Sequence, residues 1–302
     1  MKKWFWSMVM TLLLAMSSGT VLAADSPDLQ LRLDVMDEGE KLPSAFRMIP
    51  DLQASGSREF SSGGLRAIKA ALPDTPVIIV DLREESHGFA DGTAISWYGY
   101  RNWANLGKRQ DEIVRQEQDQ LAALTKTAAV TMISDVKHKN GKTGEAEQGA
   151  VTRHVQSALT EEELAKSLDL GYYRITVTDH RGPVDSKVDQ FITFVNALPP
   201  DVWLHFHCEA GHGRTTTFMA MYDMMRNGKT VGLTDIIARQ HQAGGVNLFS
   251  DDETGWQEPY AEERAEFLQR FYEYCSQNQD GFRTSWTQWR NRVDNEEKRD
   301  AL

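Results

Sequence analysis

The chain has 302 residues and a formal net charge of −11 at pH 7, from 44 acidic and 33 basic side chains. Bulk electrostatics make such an acidic protein a poor ligand for nucleic acid or an anionic membrane surface, and we expect neither as a partner. Its two cysteines provide no disulfide framework, and its length suits one large domain or a core with an insertion.

The first residues have the pattern of an export signal. Lys2 and Lys3 precede an apolar run, which is followed by small residues and an Ala-Ala pair. This order is typical of a secretory signal rather than a membrane-spanning helix, although a retained anchor is the alternative. We expect residues 1–23 to be a signal peptide cleaved after Ala23, with cleavage after Ala24 as the alternative. Residues 24–302 would then form one secreted domain, periplasmic in a Gram-negative host.

The middle of the chain predicts alternating strands and helices. Val77–Leu82 is almost continuously apolar, as expected of a parallel strand covered on both faces. Gln110–Leu124 has a helical pattern, and Val130–Ile133 resembles a strand. Thr160 opens a capping box at the start of a short helix, and Arg174–Val177 predicts another strand.

The last third predicts further elements of the same kind. A helix with an apolar face begins near Pro183. Val202–His207 predicts a strand, and the helical pattern after the loop that follows it stops at Asn227. A final helical pattern begins near Tyr260 and includes Cys275, which we expect to be a small buried side chain.

The most informative segment is residues 207–215, which read His-Cys-Glu-Ala-Gly-His-Gly-Arg-Thr. A glycine-rich loop between a strand and a helix directs backbone N–H groups and the positive helix end at one small volume. That environment favours Cys208 as a thiolate nucleophile. The planar guanidinium of Arg214 suits phosphate oxygens, and the hydroxyl of Thr215 can donate to the sulfur. These groups indicate a cysteine-dependent phosphatase; the alternative is a buried structural cysteine.

This loop resembles the signature of the protein-tyrosine-phosphatase superfamily, and in particular its bacterial inositol-polyphosphatase branch, the protein-tyrosine-phosphatase-like phytases. The resemblance extends from about residue 40 to about residue 275. One departure is His212, where many relatives have a small or apolar residue. Three other stretches carry the resemblance: Phe46-Arg47; Asp81-Leu82-Arg83-Glu84-Glu85-Ser86-His87-Gly88 with Ser96-Trp97-Tyr98-Gly99; and Thr178-Asp179-His180.

The resemblance implies an α/β fold with a protein-tyrosine-phosphatase-like core, in which helices flank a central, mostly parallel sheet. The core would comprise about 60–87 and 156–280. In the resembling family, the stretches that flank the first core strand form a small, partly open β-barrel packed on the core. We place this insertion at about 30–60 and 88–155.

The resemblance also implies the reaction. It predicts hydrolysis of myo-inositol hexakisphosphate (phytate) and lower inositol polyphosphates through a phosphocysteine intermediate, with a small-molecule substrate and no cofactor. A protein tyrosine phosphatase with the same chemistry is the main alternative. A non-catalytic phosphate-binding module is the third, and it would be expected to lack the nucleophile or the acid.

Two arguments predict Asp179 as the general acid. Catalytic groups of an open α/β sheet collect at the carboxyl ends of its strands, and both Asp179 and Cys208 follow predicted strands. One carboxylate can protonate the leaving oxygen and then activate water. The resemblance agrees, because the Thr-Asp-His block holds the general acid in this family.

Substrate contacts are predicted mainly from the resemblance. Arg47 matches a family substrate contact, and His180 is expected to meet a phosphate. Lys137 and Lys139 align loosely and could overhang the site. The remaining predicted contacts are the loop residues Glu209, Ala210, Gly211, His212 and Gly213.

A zinc site is a further alternative, because His205, His207, Cys208 and His212 lie close together in the sequence. However, His205 and His207 alternate along the strand and share a face, which leaves little room for the sulfur. No second cysteine is nearby, and the glycines would be unexplained. We therefore expect no metal.

Overall fold

A computed structural model describes residues 29–136, 147–250 and 254–300. The predicted signal peptide, residues 1–23, lies outside these ranges, as do Lys137 and Lys139. Within the described ranges, no helix combines the length and the apolar character needed to cross a membrane.

The described residues form two sheets and a set of helices, numbered here in chain order. The strands are β1 (Gln30–Val35), β2 (Arg47–Ile49), β3 (Ala54–Arg58), β4 (Val77–Arg83), β5 (His87–Ala90), β6 (Thr93–Tyr98), β7 (Val130–Val136), β8 (Glu147–Arg153), β9 (Ala158–Leu159), β10 (Gly171–Val177) and β11 (Trp203–Cys208). The helices are α1 (Ser62–Ala71), α2 (Gln110–Leu124), α3 (Glu161–Ser167), α4 (Asp185–Asn196), α5 (Gly213–Asn227), α6 (Leu233–Gln242), α7 (Glu258–Gln277) and α8 (Trp286–Asp300).

A five-stranded sheet in the order β10-β4-β11-β3-β2 forms the core. The first four of these strands are parallel, and β2 pairs antiparallel with β3 at one edge. In the centre of the sheet, His207 of β11 lies opposite Asp81 of β4 and Ser57 of β3. The carboxyl ends of the parallel strands therefore meet along one edge, which is where ligands bind in open α/β sheets.

Alternation along the strands sorts side chains onto two faces. On β11, Leu204, Phe206 and Cys208 belong to the larger apolar core, which includes residues of α4, α5, α6 and α7. Trp203 belongs to a second core, which includes residues of α1 and α3. Because helices cover both faces, the sheet is buried, and its strands read as apolar runs. The predicted α/β core with a mostly parallel sheet is thus confirmed.

A second sheet has the order β8-β7-β1-β6-β5-β9 and is largely antiparallel. It lies in the regions predicted for the small insertion, although the barrel form of that insertion stays a prediction. One boundary differs from the predicted division. Residues 47–58 were assigned to the insertion, but β2 and β3 belong to the core sheet because β3 pairs with β11.

Candidate active site

The cysteine loop, residues 208–214, connects the end of β11 to the start of α5. Gly211 has φ of +73°, and a β-carbon there would collide with the backbone nitrogen of Arg58. Glycine is therefore required at this position both for the left-handed conformation and for the close approach of β3. The loop is also bonded to the chain after β3, since the amide of Glu59 donates to the carbonyl of Glu209 at 3.1 Å.

Cys208 is the last residue of β11 and is almost completely buried. The Thr215 hydroxyl donates to its Sγ at 3.2 Å. Thr215 lies in the first turn of α5, so the sulfur sits beside the positive end of that helix. The structure therefore brings Cys208 and Thr215 together as the sequence predicts.

Arg214 is held by carboxylates. Its two terminal nitrogens donate to both oxygens of Glu85, at 2.7 and 3.0 Å, and its Nη2 lies 3.1 Å from Oδ1 of Asp179. Burial by itself lowers the pKa of Arg214, but Asp179, Glu85 and Cys208 more than offset this effect and raise it well above its usual value. The guanidinium is thus a fixed, permanently charged group beside the sulfur.

Glu85 is shared between two arginines. Besides Arg214, it accepts from Nε of Arg83 at 2.8 Å, and Arg83 also pairs with Asp34 and Glu59 at 2.9 and 2.6 Å. Burial alone would raise the pKa of Glu85, but Arg214 and Arg83 lower it far below its usual range. This carboxylate is therefore ionised, and its two hydrogen bonds hold the Arg214 guanidinium in place.

Asp179 follows β10 and lies beside Arg214 of the cysteine loop, in keeping with the predicted convergence of Asp179 and Cys208. The amide nitrogen of Asn102 donates to its Oδ2 at 2.9 Å, and the backbone amide of His180 donates to its Oδ1 at 3.0 Å. The indole N–H of Trp103 donates to its backbone carbonyl at 2.9 Å. A turn after β6 therefore holds the predicted acid in place.

One cavity of about 400 Å³ contains these groups. It joins the carboxyl ends of β10 and β11 to the polar face of β1 and β6. The predicted site residues that line it are Cys208, Arg214, Asp179, His180, Glu209, Ala210, His212 and Gly213. Other lining residues, which the sequence reasoning missed, are Arg32, Asp34, Ser96, Tyr98, Asn102, Arg181, Gln257 and Arg264.

The missed residues include three arginines from distant parts of the chain. Arg32 lies on β1, with its guanidinium 3.5 Å from the ring centre of Tyr98. Arg181 follows the Thr-Asp-His block directly, and Arg264 lies on α7. The alternation Leu31-Arg32-Leu33-Asp34 is a sequence signal for a polar strand face that could have indicated Arg32. Arg264 has no comparable signal, because its approach depends on how α7 packs.

Arg47 requires a correction. We predict it as a substrate contact, but its side chain is buried behind the cysteine loop. Its guanidinium donates to the carbonyls of Ala45 and Gly211, at 3.0 and 2.9 Å, and to the Thr216 hydroxyl at 3.1 Å. It takes this position because β2 pairs with β3 and so lies behind the loop. Arg47 therefore supports the loop and does not line the cavity.

Two loop side chains shift towards their neutral forms. Burial raises the pKa of Glu209, and the nearby Asp34 carboxylate adds to the effect. Burial also lowers the pKa of His212, to which Arg47 and Arg58 contribute. The raised pKa makes ionisation of Glu209 less favourable next to the place where an anion would bind.

His180 lies at the rim of the cavity in a left-handed conformation, with φ of +66°. Its Nδ1 is 2.9 Å from Nε2 of Gln257, and its ring packs edge-to-face on Trp256 with 4.8 Å between centroids. These contacts hold the imidazole where it can meet a bound anion.

The residues proposed above for a zinc site do not converge. His205 Nδ1 lies 2.9 Å from the hydroxyl of Ser55, and its Nε2 lies 3.1 Å from that of Ser57. His207 bonds Glu161 at 2.7 Å on the same face of β11, whereas Cys208 belongs to the opposite core. Both nitrogens of His205 are already engaged, so this set does not fit a metal.

In the part of the chain that the structure describes, two other buried groups have ligand-type atoms within 4.8 Å of one another: Glu59, Glu161 and His207, and Asp81, His87 and Glu161. Arg83 pairs with Glu59 and Arg174 pairs with Asp81 at 3.1 Å, while Glu161 pairs with His207 and His87. We therefore assign them to an ion-pair network that supports the sheet edge.

The larger cavity nearby, about 820 Å³, is not the one that contains Cys208. It lies beside α4, α7 and α8 and shares Arg181 with the smaller cavity. Size alone would select it, but the nucleophile, the acid and the paired arginine all line the smaller one.

Comparisons with known proteins agree with this geometry. A family model for the protein-tyrosine-phosphatase-like phytases matches residues 80–226, and the description of that family reads "Inositol hexakisphosphate". A solved protein-tyrosine-phosphatase-like phytase from Bdellovibrio bacteriovorus is 37% identical; the match covers 86% of this chain and 94% of that chain, with a TM-score of 0.70.

Two further relatives are longer than this chain. A protein-tyrosine-phosphatase-like myo-inositol phosphatase from Mitsuokella multacida, solved with myo-inositol-(1,3,4,5)-tetrakisphosphate, is 34% identical over 90% of this chain and 49% of that chain, with a TM-score of 0.80. Effector protein hopD2 of Pseudomonas syringae pv. tomato is 30% identical over 84% of this chain and 55% of its own length. The chain thus spans about half the length of each.

Proposed function

The chain belongs to the protein-tyrosine-phosphatase-like phytase family, and we propose on that premise that it is a cysteine-dependent phosphomonoesterase of inositol polyphosphates, including myo-inositol hexakisphosphate. Family members are phosphatases that hydrolyse phosphate monoesters of inositol phosphates. One observation carries the proposal: Cys208, Arg214 and Asp179 line a single cavity that further arginines also line.

The first step transfers a phosphoryl group to the enzyme. Cys208 Sγ attacks phosphorus while Arg214 and the loop amides hold the phosphate oxygens. The P–O ester bond breaks, and its electron pair stays on the leaving oxygen. Asp179, protonated in this step, gives its proton to that oxygen and releases an inositol hydroxyl.

The second step frees the enzyme. Asp179, now a carboxylate, takes a proton from water as the water oxygen attacks the phosphorus of the phosphocysteine. The P–S bond breaks, its electron pair returns to Cys208 as a thiolate, and inorganic phosphate leaves. The Thr215 hydroxyl, 3.2 Å from Sγ, stabilises the departing sulfur.

The cavity lining favours a polyphosphorylated ring over phosphotyrosine. Arg32, Arg181 and Arg264 add positive charge around the catalytic group, which a substrate with several phosphates can use. Among the described lining residues, Tyr98 is the one with a phenyl or indole ring, and Arg32 lies over it. Phosphotyrosine recognition would call for a deep slot with aromatic walls.

The test is turnover of myo-inositol hexakisphosphate, a phosphotyrosyl peptide and a small aryl phosphate, compared in wild type and Arg181→Ala. Hexakisphosphate should be the preferred substrate of the wild type by kcat/KM. Arg181→Ala should lower that value about 10- to 100-fold for hexakisphosphate, the equivalent of one hydrogen bond to a charged group, and much less for the aryl phosphate.

The exposed Arg115→Ala, on α2, is the matched control and should change neither value. A wild type that prefers the phosphotyrosyl peptide would support a protein tyrosine phosphatase instead. Equal losses on all substrates in Arg181→Ala would show that Arg181 does not bind additional phosphates.

We also propose export and cleavage after Ala23, on the basis of the N-terminal sequence pattern. The mature protein would be secreted, or periplasmic in a Gram-negative host. N-terminal sequencing of protein from that compartment should begin at Ala24, and protein recovered from cytoplasm with Met1 intact would contradict the proposal.

A further inference from the structure

Asn102 contacts the predicted acid from outside the catalytic loops. We propose that Asn102 is a positioning residue that stabilises both protonation states of Asp179, by presenting its amide nitrogen to the carboxylate and, after rotation of the amide, its oxygen to the carboxylic acid. The inference rests on the proposed function, because it concerns the acid and base steps of that reaction.

The geometry shows the carboxylate state. Asp179 Oδ1 accepts from the His180 amide at 3.0 Å and lies 3.1 Å from Arg214 Nη2. Oδ2 accepts from the Asn102 amide nitrogen at 2.9 Å. Donors therefore surround both oxygens, and an ionised carboxylate, which only accepts hydrogen bonds, matches this set of partners.

The acid form needs a different partner. A protonated Oδ2 carries an O–H donor, which cannot bond to the NH₂ group of Asn102. The other end of the same amide provides the acceptor. Oδ1 of Asn102 is buried without a hydrogen-bond partner, in a residue that is only 4% exposed. Rotation about the last side-chain bond would exchange the two ends, and such a torsion is broad and roughly two-fold.

The turn that carries Asn102 is strained and braced. Arg101 and Asn102 have φ of +55° and +65°, a conformation that Asn tolerates better than most residues. The indole of Trp103 bonds the Asp179 carbonyl at 2.9 Å, and the Arg101 guanidinium lies 4.2 Å from the Trp256 ring centre. Strain of this kind persists where surrounding contacts enforce it, often at functional sites. The turn therefore fixes the distance between Asn102 and Asp179, so that the proposed exchange of partners requires only rotation of the terminal amide.

The experiment is a double-mutant cycle between Asn102→Ala and Asp179→Asn. Asn102→Ala should lower kcat for an inositol phosphate about 10- to 100-fold, the equivalent of a hydrogen bond to a charged group, and leave KM nearly unchanged. An aryl phosphate with a good leaving group should lose less than about threefold at the phosphorylation step, because it needs little acid assistance.

In the Asp179→Asn background, Asn102→Ala should cause no further loss. Additive losses would overturn the proposal, because they would mean that Asn102 acts on the substrate or on the fold independently of Asp179.

Asn102→Asp provides a second test that keeps the size and the left-handed conformation of the residue. A carboxylate beside Asp179 disfavours its ionisation, so the alkaline limb of the kcat profile should move to higher pH. An unchanged limb would contradict the proposal. The cycle can be run on any alkyl phosphate that the wild type hydrolyses, so failure of the substrate proposal would be seen separately in the wild type.

Discussion

Buried arginines on the two sides of strand β11 have different kinds of hydrogen-bond partner. On the side of β4 and β10, Arg214 is matched by two carboxylates, Glu85 and Asp179, and its pKa is raised. On the side of β2 and β3, Arg47 donates only to neutral carbonyl and hydroxyl oxygens, including that of Gly211. Burial lowers its pKa to about 10, an effect that Cys208 opposes.

Two histidines on one face of β11 show a similar contrast between charged and neutral partners. His207 bonds Glu161; burial would lower its pKa, but Glu161 and Glu59 reverse the effect and raise it. His205 lies between two serine hydroxyls, and burial lowers its pKa well below its usual value, with help from His207 and Arg47. We infer that carboxylates on the acid-rich side, next to β4 and β10, hold the catalytic groups in position. On the neutral side, next to β2 and β3, Arg47 has uncharged partners, so its positive charge acts on the cysteine loop and on an anion bound there.

The largest expected effect comes from the sulfur on which both sides act. Cys208→Ser should keep the fold but lose turnover by on the order of 10⁴-fold or more, since a serine hydroxyl is not ionised at neutral pH. Phosphate release measures the loss. Cys275→Ala is the matched control, because burial raises the pKa of that thiol and leaves it inert. Residual activity in Cys208→Ser near the wild-type level would contradict a thiolate mechanism.

An intermediate effect is expected on the neutral side. Arg47→Met should lower kcat/KM for hexakisphosphate and for a small aryl phosphate by the same factor, about 10- to 100-fold, because the loop is needed for both substrates. The sequence alone predicts a selective loss on hexakisphosphate. Urea unfolding should also show about 1–3 kcal/mol of lost stability, since the buried carbonyl of Gly211 loses its donor.

Arg115→Met is the control for Arg47→Met, because the Arg115 side chain is 68% exposed and lies on α2, outside the cysteine loop and its supporting strands. A selective loss on hexakisphosphate would restore the role of Arg47 as a substrate contact and remove the contrast between the two sides.

The smallest expected effect concerns how the free energy of unfolding depends on pH. The folded state disfavours protonated His205, whereas the unfolded chain binds a proton below about pH 6.5. Stability of the wild type relative to His205→Gln should therefore fall on acidification through that pH, by at most about 1.4 kcal/mol per pH unit. Urea unfolding at pH 7.5 and 5.5 measures this difference.

His207 should behave in the opposite way. Its pKa is raised in the folded state, so its stabilising contribution is present below about pH 6.5 and is lost as pH rises through the folded value. The stability gap between wild type and His207→Gln should then narrow at alkaline pH. The same pH trend for both variants would mean that the serines and carboxylates do not distinguish the two histidines.

The sequence predicted the elements that follow simple periodic rules. Long apolar or amphipathic runs identified β4, β11 and α2, and the capping box at Thr160 correctly opens α3. The convergence of Asp179 with the cysteine loop followed from parallel strands, whose carboxyl ends share an edge.

The strands on the neutral side could not be predicted in this way. Strand β3 reads Ala-Ser-Gly-Ser-Arg and has no apolar run, yet it is buried. Its small residues let α5 approach, because a β-carbon on Gly56 would lie 2.6 Å from the sulfur of Met219. The position of Arg47 depends on this packing, whereas the contribution of Arg264 to the cavity depends on how α7 packs. Contacts between segments so distant in sequence leave no local pattern.

The central place of β11 has a consequence for how the chain folds. Strands β3 and β4 are close in sequence but are not neighbours, because β11 fills the gap between them and arrives much later along the chain. Until it inserts, two strand edges stay unpaired, and such edges favour aggregation. Pairing over this separation also slows folding. The strand that carries the nucleophile thus completes the sheet, so the catalytic centre and the cooperative core should form in the same late event.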